Sequence, residues 1–315
     1  MHPAYSVILF TTLSGAGYGL LIWISALGAS GLIAVDRWFC VLGFGIAFAM
    51  ITIGLLASTF HLGRPERAWR AFSQWRTSWL SREGVAAVVC YVPAGLLALY
   101  WIVFGKVDGI AIGLAIVTVI CATITVYCTG MIYASLPTIR QWHHPVVPWV
   151  FLAFALATGI LVLNLLLHLS SAPAGTIAWL SIASAIVAML LKFFYWSIIG
   201  GASKTRSAEA ATGLGRIGQV RPLEDAHSQP NFVMREMGFE IGRRHSQKLR
   251  RMAGLLGLLT IVLLFCAVTA FSGSLCILTS CLAILAGAMS VGLERWLFFA
   301  EAQHVVTVYY RGGNA

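Results

Sequence analysis

The 315-residue sequence predicts an all-α integral membrane protein: an eight-transmembrane-helix bundle with an amphipathic helix at the cytoplasmic interface. Three observations lead there. Apolar residues make up 59% of the chain, and Asp, Glu, Lys and Arg only 10%, where a soluble domain is about a quarter charged. The apolar residues fall into eight long runs, and a hydrocarbon core needs about 20 residues per helix. The basic residues gather in alternate connections between those runs. The first observation excludes a soluble enzyme, which would need more charge to cover its surface, and a disordered chain, which is far less apolar. The second excludes a transmembrane barrel, whose strands alternate polar and apolar residues.

The first run is Tyr5–Leu27. It contains Ser14-Gly15-Ala16-Gly17-Tyr18-Gly19, and small residues of this kind let helix backbones approach closely in lipid. The preceding residues, Met1 to Ser6, hold no Lys or Arg, so they lack the basic segment of a secretory signal. The first span is therefore expected to stay in the mature protein. The second run is Trp38–Phe60 and the third Gly84–Phe104. The third holds Pro93, which a lipid-buried helix tolerates. Ile110–Leu136, Val146–His168, Ile177–Gly200, Met252–Phe271 and Leu275–Phe299 complete the set. Residues 1–315 thus read as a single membrane domain with two long connections, 62–82 and 201–251.

With eight spans, both termini lie on one side. Of the 21 Lys and Arg residues, seventeen fall on that side. Arg64, Arg67, Arg70, Arg76 and Arg82 lie between spans 2 and 3, Arg140 between spans 4 and 5, ten more in 201–251, and Arg311 at the C-terminus. The other side has Arg37 and Lys106. By the positive-inside rule the rich side is cytoplasmic, with both termini inside. This accounts for the net charge of +10 without invoking nucleic acid. The same basic face suits an acidic partner subunit.

Ionisable residues within or beside spans are costly and often functional. Five occur here. His61 closes span 2, Glu83 opens span 3, Lys192 lies about two turns before the end of span 6, and Glu294 and Arg295 lie near the end of span 8. All five fall toward the cytoplasmic side, which points to one polar site there. Each also has a plainer explanation. Lys192 can snorkel to the interface beside Phe193, Phe194, Tyr195 and Trp196. Glu294 and Arg295, adjacent on a helix, point about 100° apart and can pair with other helices.

Between His61 and Glu83 runs a segment rich in Trp and Arg. Pro65 can start a helix, and Trp69, Phe72, Trp75 and Trp79 follow at three- and four-residue steps with arginines between them. This predicts an interfacial amphipathic helix that anchors the protein in lipid and roofs a pocket entered from the bilayer. Such a pocket suits a quinone, which exchanges two electrons and two protons. A histidine and a carboxylate can hold its oxygens and move the protons, aromatic walls can hold its ring, and lipid access admits its tail.

Other motifs carry less. Gly213-Leu214-Gly215-Arg216-Ile217-Gly218 fits a dinucleotide fingerprint, but no apolar strand precedes it, and a turn-rich segment is the better reading. The seven cysteines show no C-x-x-C, which speaks against an iron–sulfur or zinc site in this chain. A membrane b-type haem needs two histidines at similar depth. His61 and His168 fall on opposite sides, and His143 and His144 in a loop, so no haem is expected. A transporter would show midplane polar residues and an internal repeat; the nearest candidates, Asn164 and His168, lie toward the far side.

Met1-His2-Pro3-Ala4-Tyr5-Ser6-Val7, Ser58-Thr59-Phe60-His61-Leu62-Gly63-Arg64-Pro65-Glu66-Arg67-Ala68 and Leu80-Ser81-Arg82-Glu83 resemble the dimethyl sulfoxide reductase anchor subunit (DmsC) family, and the resemblance covers essentially the whole chain. Val291-Gly292-Leu293-Glu294-Arg295-Trp296 and the long connection with Arg221-Pro222-Leu223-Glu224 are similar to a proteobacterial subgroup that includes anchors of cytoplasmic sulfite:quinone oxidoreductases (SoeC-like). The resemblance implies a three-subunit complex in a bacterial inner membrane. A molybdopterin subunit carries the substrate chemistry and an iron–sulfur subunit docks on the anchor. The anchor itself binds quinone, menaquinone or ubiquinone, and holds neither haem nor cluster. The family's quinol-site histidine and glutamate match His61 and Glu83. Arg64, Trp69, Trp79, Lys192, Glu294 and Arg295 are the supporting candidates. The long connection 201–251 departs from the shorter anchors and leaves the substrate open between sulfite, dimethyl sulfoxide and others.

Overall fold

A computed structural model describes residues 4–60, 62–170, 172, 175–200, 208–220, 223 and 245–306. Eight of its helices are long and apolar enough to cross a membrane. They are α1 (Tyr5–Ala29), α2 (Arg37–Thr59), α3 (Trp79–Phe104), α4 (Gly109–Ala134), α5 (Val147–Leu169), α6 (Gly175–Gly200), and, after a short helix α7 (Ala208–Thr212), α8 (Ser246–Thr269) and α9 (Ser274–Ala300). Their outward faces are rows of large apolar side chains, such as Ile116, Val117, Ile120 and Ile124 on α4 and Leu255, Leu258, Leu259 and Val262 on α8. Water would penalise such rows, whereas acyl chains solvate them.

Helices α1 and α5 form the centre. α1 packs on α2, α4, α5 and α9, and α5 packs on α1, α4, α6 and α9. The two central helices cross backbone to backbone. A Cβ on Gly19 would lie 1.8 Å from the Ala155 carbonyl oxygen, and one on Gly159 would lie 2.2 Å from the Gly19 carbonyl carbon. The glycines of the first span are thus packing residues, as expected. Trp23 locks the crossing by donating its indole N–H to the Leu156 carbonyl at 2.9 Å.

Two aspartates that cap spans sit at the far end of the bundle. Asp36 accepts from the amides of Trp38 and Phe39, and Asp108 from those of Ile110 and Ala111. Each satisfies amides that a helix start leaves unpaired. The Tyr100 hydroxyl also donates to Asp108, and with the two amides it holds that carboxyl below its ordinary range.

Three sequence expectations shift. Span 3 begins at Trp79, not Gly84, so Glu83 lies inside the helix instead of opening it. Span 7 begins at Ser246, not Met252, which puts Arg250 and Arg251 on its first turns. The amphipathic helix expected from Pro65 within 62–82 is a 3₁₀ helix that stops at Phe72, followed by turns and then α3. Hydroxyls break it. Ser73 donates its hydroxyl to the Arg70 carbonyl at 2.8 Å, and Ser78 accepts from the Ser81 amide as the cap of α3. Such side chains offer the backbone an alternative to continued helix. The basic and aromatic character survives. The Arg70 and Arg76 guanidiniums stack over Trp69 and Trp75 at 5.6 and 5.4 Å, and both rings are exposed.

Of the connection 201–251, the described residues 208–220 form α7 and then turns. Leu214–Arg216 is a single 3₁₀ turn after α7, and Glu209 on α7 accepts from the Val220 amide at 3.3 Å. The glycine run folds back on a short helix, and no strand precedes it among the described residues.

Candidate functional site

At the end of the bundle where α1 and α3 begin and α2, α4 and α9 finish lies a cavity of about 800 Å³. Its walls come from α1 (Val7, Phe10), α2 (Thr52 to Thr59), α3 (Leu80 to Tyr91), α4 (Ile132, Tyr133) and Phe299 of α9. The 3₁₀ helix covers it with Ala68, Trp69, Ala71 and Phe72. A 3₁₀ helix repeats every three residues, so side chains at i and i+3 eclipse. That stacks Ala68 with Ala71 and Trp69 with Phe72 over the cavity. The lid rests on α3 where Gly84 leaves room: a Cβ there would come within 3.3 Å of the Phe72 ring. Arg82 ties down the turn behind the lid, donating to the carbonyls of Trp75 at 3.0 Å and Arg76 at 2.7 Å.

The walls are apolar with a few polar groups, the usual composition of a small-molecule site. Glu83 is the one charged side chain among the described lining residues. It is 4% exposed. The Thr129 hydroxyl of α4 donates to its Oε1, and no cation pairs with it among the described residues. Deeper along α3, the Tyr91 hydroxyl and Thr52 Oγ1 hydrogen-bond at 2.7 Å. Tyr133 and Trp142 also line the wall.

Of the residues singled out from the sequence, Glu83 and Trp69 line this cavity. His61 lies outside the described residues; Thr59 and Leu62, on either side of it, are lining residues. Arg64 is exposed on the connection. Trp79 turns away from the cavity, under the Arg82 guanidinium at 4.3 Å and edge-on to Tyr127.

Lys192, Glu294 and Arg295 form a separate cluster at the same end of the bundle. Lys192 pairs with Glu294 Oε1, and Arg295 Nη1 lies 3.4 Å from Glu294 Oε2. None of the three is more than 2% exposed. Aromatic rings complete their surroundings. Lys192 Nζ lies 4.0 Å from the Tyr195 ring centre, and the Arg295 guanidinium 3.6 Å from that of Phe151. Nearer the surface, Arg250 and Glu301 make a bidentate pair at 2.9 and 2.8 Å.

One aromatic layer divides the cavity from this cluster. Tyr133 stacks on Phe151 at 5.6 Å and meets Trp142, Phe298 and Phe299 edge-on. Trp142 is fixed by donating its indole N–H to the Phe298 carbonyl at 2.9 Å. Tyr133, Trp142 and Phe299 face the cavity, while Phe151 and Phe298 lie against Arg295 and Lys192. The single polar site expected from the sequence is therefore two regions. Thr129, Tyr133, Trp142, Tyr91 and Thr52 did not stand out in the sequence; the hydroxyl-bearing run Thr125–Tyr133 inside span 4 was the available signal.

His168, at the other end of α5, contacts the Cys276 thiol at 3.4 Å, far from the cavity along the bundle.

Residues 1–300 match the family model described as DMSO reductase anchor subunit (DmsC). The chain is 32% identical, over 334 aligned positions spanning 99% of both proteins, to the C component of the sulfite dehydrogenase of Allochromatium vinosum. It is 28% identical over 121 positions, 36% of this chain and 41% of the relative, to the C component of the anaerobic dimethyl sulfoxide reductase of Haemophilus influenzae. The chain belongs to the DmsC family of membrane anchor subunits.

Proposed function

We propose, with that membership as the premise, that the chain is the quinone-reactive anchor of a three-subunit molybdopterin oxidoreductase. It exchanges electrons between the quinone pool of a bacterial inner membrane and an iron–sulfur partner subunit. The observation that carries this reading is Glu83: a buried carboxylate, hydrogen-bonded to one neutral hydroxyl, in an apolar cavity of about 800 Å³ at one end of the bundle. The cavity fits a quinone ring in size and in its aromatic and aliphatic walls. A quinone, when bound, supplies two-electron, two-proton chemistry. Glu83 can take or return a proton at one ring oxygen. Thr129 holds the carboxylate toward the cavity. His61 serves as the second proton group. The lid formed by Trp69 and Phe72 keeps bulk water from the ring.

Similarity along the full length to a component of a sulfite dehydrogenase favours sulfite as the substrate of the whole complex over dimethyl sulfoxide, which a partial match supports. The cavity and the arginines of the connection, Arg64, Arg67, Arg70 and Arg76, share one end of the bundle. The iron–sulfur subunit docks there, in the cytoplasm, with the molybdopterin subunit beyond it. Reporter fusions at either terminus should read as cytoplasmic, and a periplasmic signal from both would refute this orientation.

The direct test is Glu83→Gln in the assembled complex. Quinone-linked turnover should fall about a hundredfold or more, the scale of a lost general acid–base group. Activity with an artificial electron carrier, which bypasses the anchor, should persist. A normal quinone-linked rate would overturn the assignment.

A further inference from the structure

The cavity is longer than a ring requires, and its long dimension has a direction. On α3 the lining residues Leu80, Gly84, Val88 and Tyr91 recur at helical spacing. From first to last they cover about 16 Å at 1.5 Å per residue. On α2 the facing residues are Thr52, Leu56 and Thr59. Together they line a furrow that runs from the lid toward the bilayer interior. Glu83 sits on its inner wall near the lid end, and one ring fills only that end.

The furrow is open on its outer side. Leu56 and Val88 line the cavity, yet each is 56% exposed to the surroundings of the bundle. At these depths those surroundings are acyl chains. The deep end is closed by the Thr52–Tyr91 hydrogen bond, which joins α2 to α3. Phe48 stacks on the Tyr91 ring at 5.4 Å and 18° and backs the bridge.

We propose that the furrow between α2 and α3 is the passage for a polyprenyl tail. Its ring end lies at Glu83, its floor is the Thr52–Tyr91 bridge, and its exit to the bilayer lies past Leu56 and Val88. The proposal rests on the quinone reading of the cavity and adds the route and orientation of the ligand. The chemistry is that of the lining. Beyond Glu83 the furrow is apolar up to the bridge, so a tail passing into it from the acyl chains meets no polar group that its presence would leave unpaired.

The test uses Leu56→Trp and Val88→Trp, made singly in the complete complex, with Val92→Trp as control. Val92 is a lipid-facing residue of α3 outside the cavity. Two quinones with the same ring are compared, one with a long polyprenyl tail and one with none. Each blocking variant should raise KM for the tailed quinone about tenfold or more, the scale at which added bulk discriminates in an apolar pocket. The tailless quinone should lose less, so that the ratio of the two KM values rises about tenfold, and Val92→Trp should leave that ratio at its wild-type value. Equal losses with both quinones, no loss with either, or the same loss in the control would each overturn the passage. If the wild-type complex turns over neither quinone while working with an artificial carrier, the quinone reading itself fails, and that result is distinct from the others.

Discussion

Two buried charged regions lie at the same end of this bundle, and they are built in opposite ways. Around Glu83 there is volume: an open cavity, a lid, and one neutral hydroxyl as partner. Glu294 does not line that cavity. Lys192, Arg295 and five aromatic rings fill its surroundings. A carboxylate next to space and without a counter-charge can change its protonation when a ligand arrives. One packed between two cations already has its partners. Burial is common to both carboxylates; what separates them is that Glu83 lines a cavity and Glu294 is paired with two cations.

The largest expected effect breaks the comparison from the filled side. Lys192→Met leaves Glu294 with only the 3.4 Å Arg295 contact. Removing one partner of a buried pair costs about 3–5 kcal/mol. Thermal unfolding in detergent and the yield of assembled complex should both drop sharply, and complex that does assemble should keep its quinone-linked rate. A stable variant that has lost quinone turnover would mean the two regions act as one site.

Next comes Glu83→Gln, whose loss should appear in quinone-linked turnover and not in assembly. The two variants should thus have opposite signatures, one in stability and one in rate.

A smaller effect probes the lid. Gly84→Val places methyl groups where the Phe72 ring now sits, 3.3 Å from a Cβ at that position. Overpacking of this kind costs about 1 kcal/mol or more. Lifting the lid should raise quinone KM about fivefold, by the same 1 kcal/mol, with assembly unchanged. An unaltered KM would remove the 3₁₀ helix from the site.

The smallest change sharpens the boundary between the regions. Trp142→Phe keeps a ring in the dividing layer but loses the bond to the Phe298 carbonyl, worth about 1 kcal/mol. Unfolding temperature should fall slightly and the quinone-linked rate should hold. A large loss of rate would show that the layer couples the regions instead of separating them.

Much of the fold was legible in the sequence. Eight apolar runs gave eight helices, and the depth of each ionisable residue followed from its distance to a span end at 1.5 Å per residue. That arithmetic placed Glu83, Lys192, Glu294 and Arg295 at one end of the bundle, where the structure has them. The connection over 62–82 was read as an amphipathic helix covering a pocket, which it does, but the helix is a 3₁₀ helix that ends at Phe72. Ser73 and Ser78 decided otherwise through local hydrogen bonds that periodicity does not register.

Which of those residues meet was decided only in three dimensions. Lys192 joins Glu294 from another helix, Thr129 finds Glu83 across α3 and α4, and the layer of Tyr133, Trp142, Phe151, Phe298 and Phe299 draws on three spans and a loop. In water, a helix turns its apolar face inward, and the sequence shows which face that is. In lipid, both faces are apolar, so hydropathy sets how deep a residue sits and leaves the rotation of its helix open. Rotation is set instead by close packing, as where Gly19 and Gly159 let α1 and α5 touch. The sequence by itself therefore determined the spans and the level of the charged residues. The tertiary structure decided that Glu83 would line a cavity and that Glu294 would pack between Lys192 and Arg295.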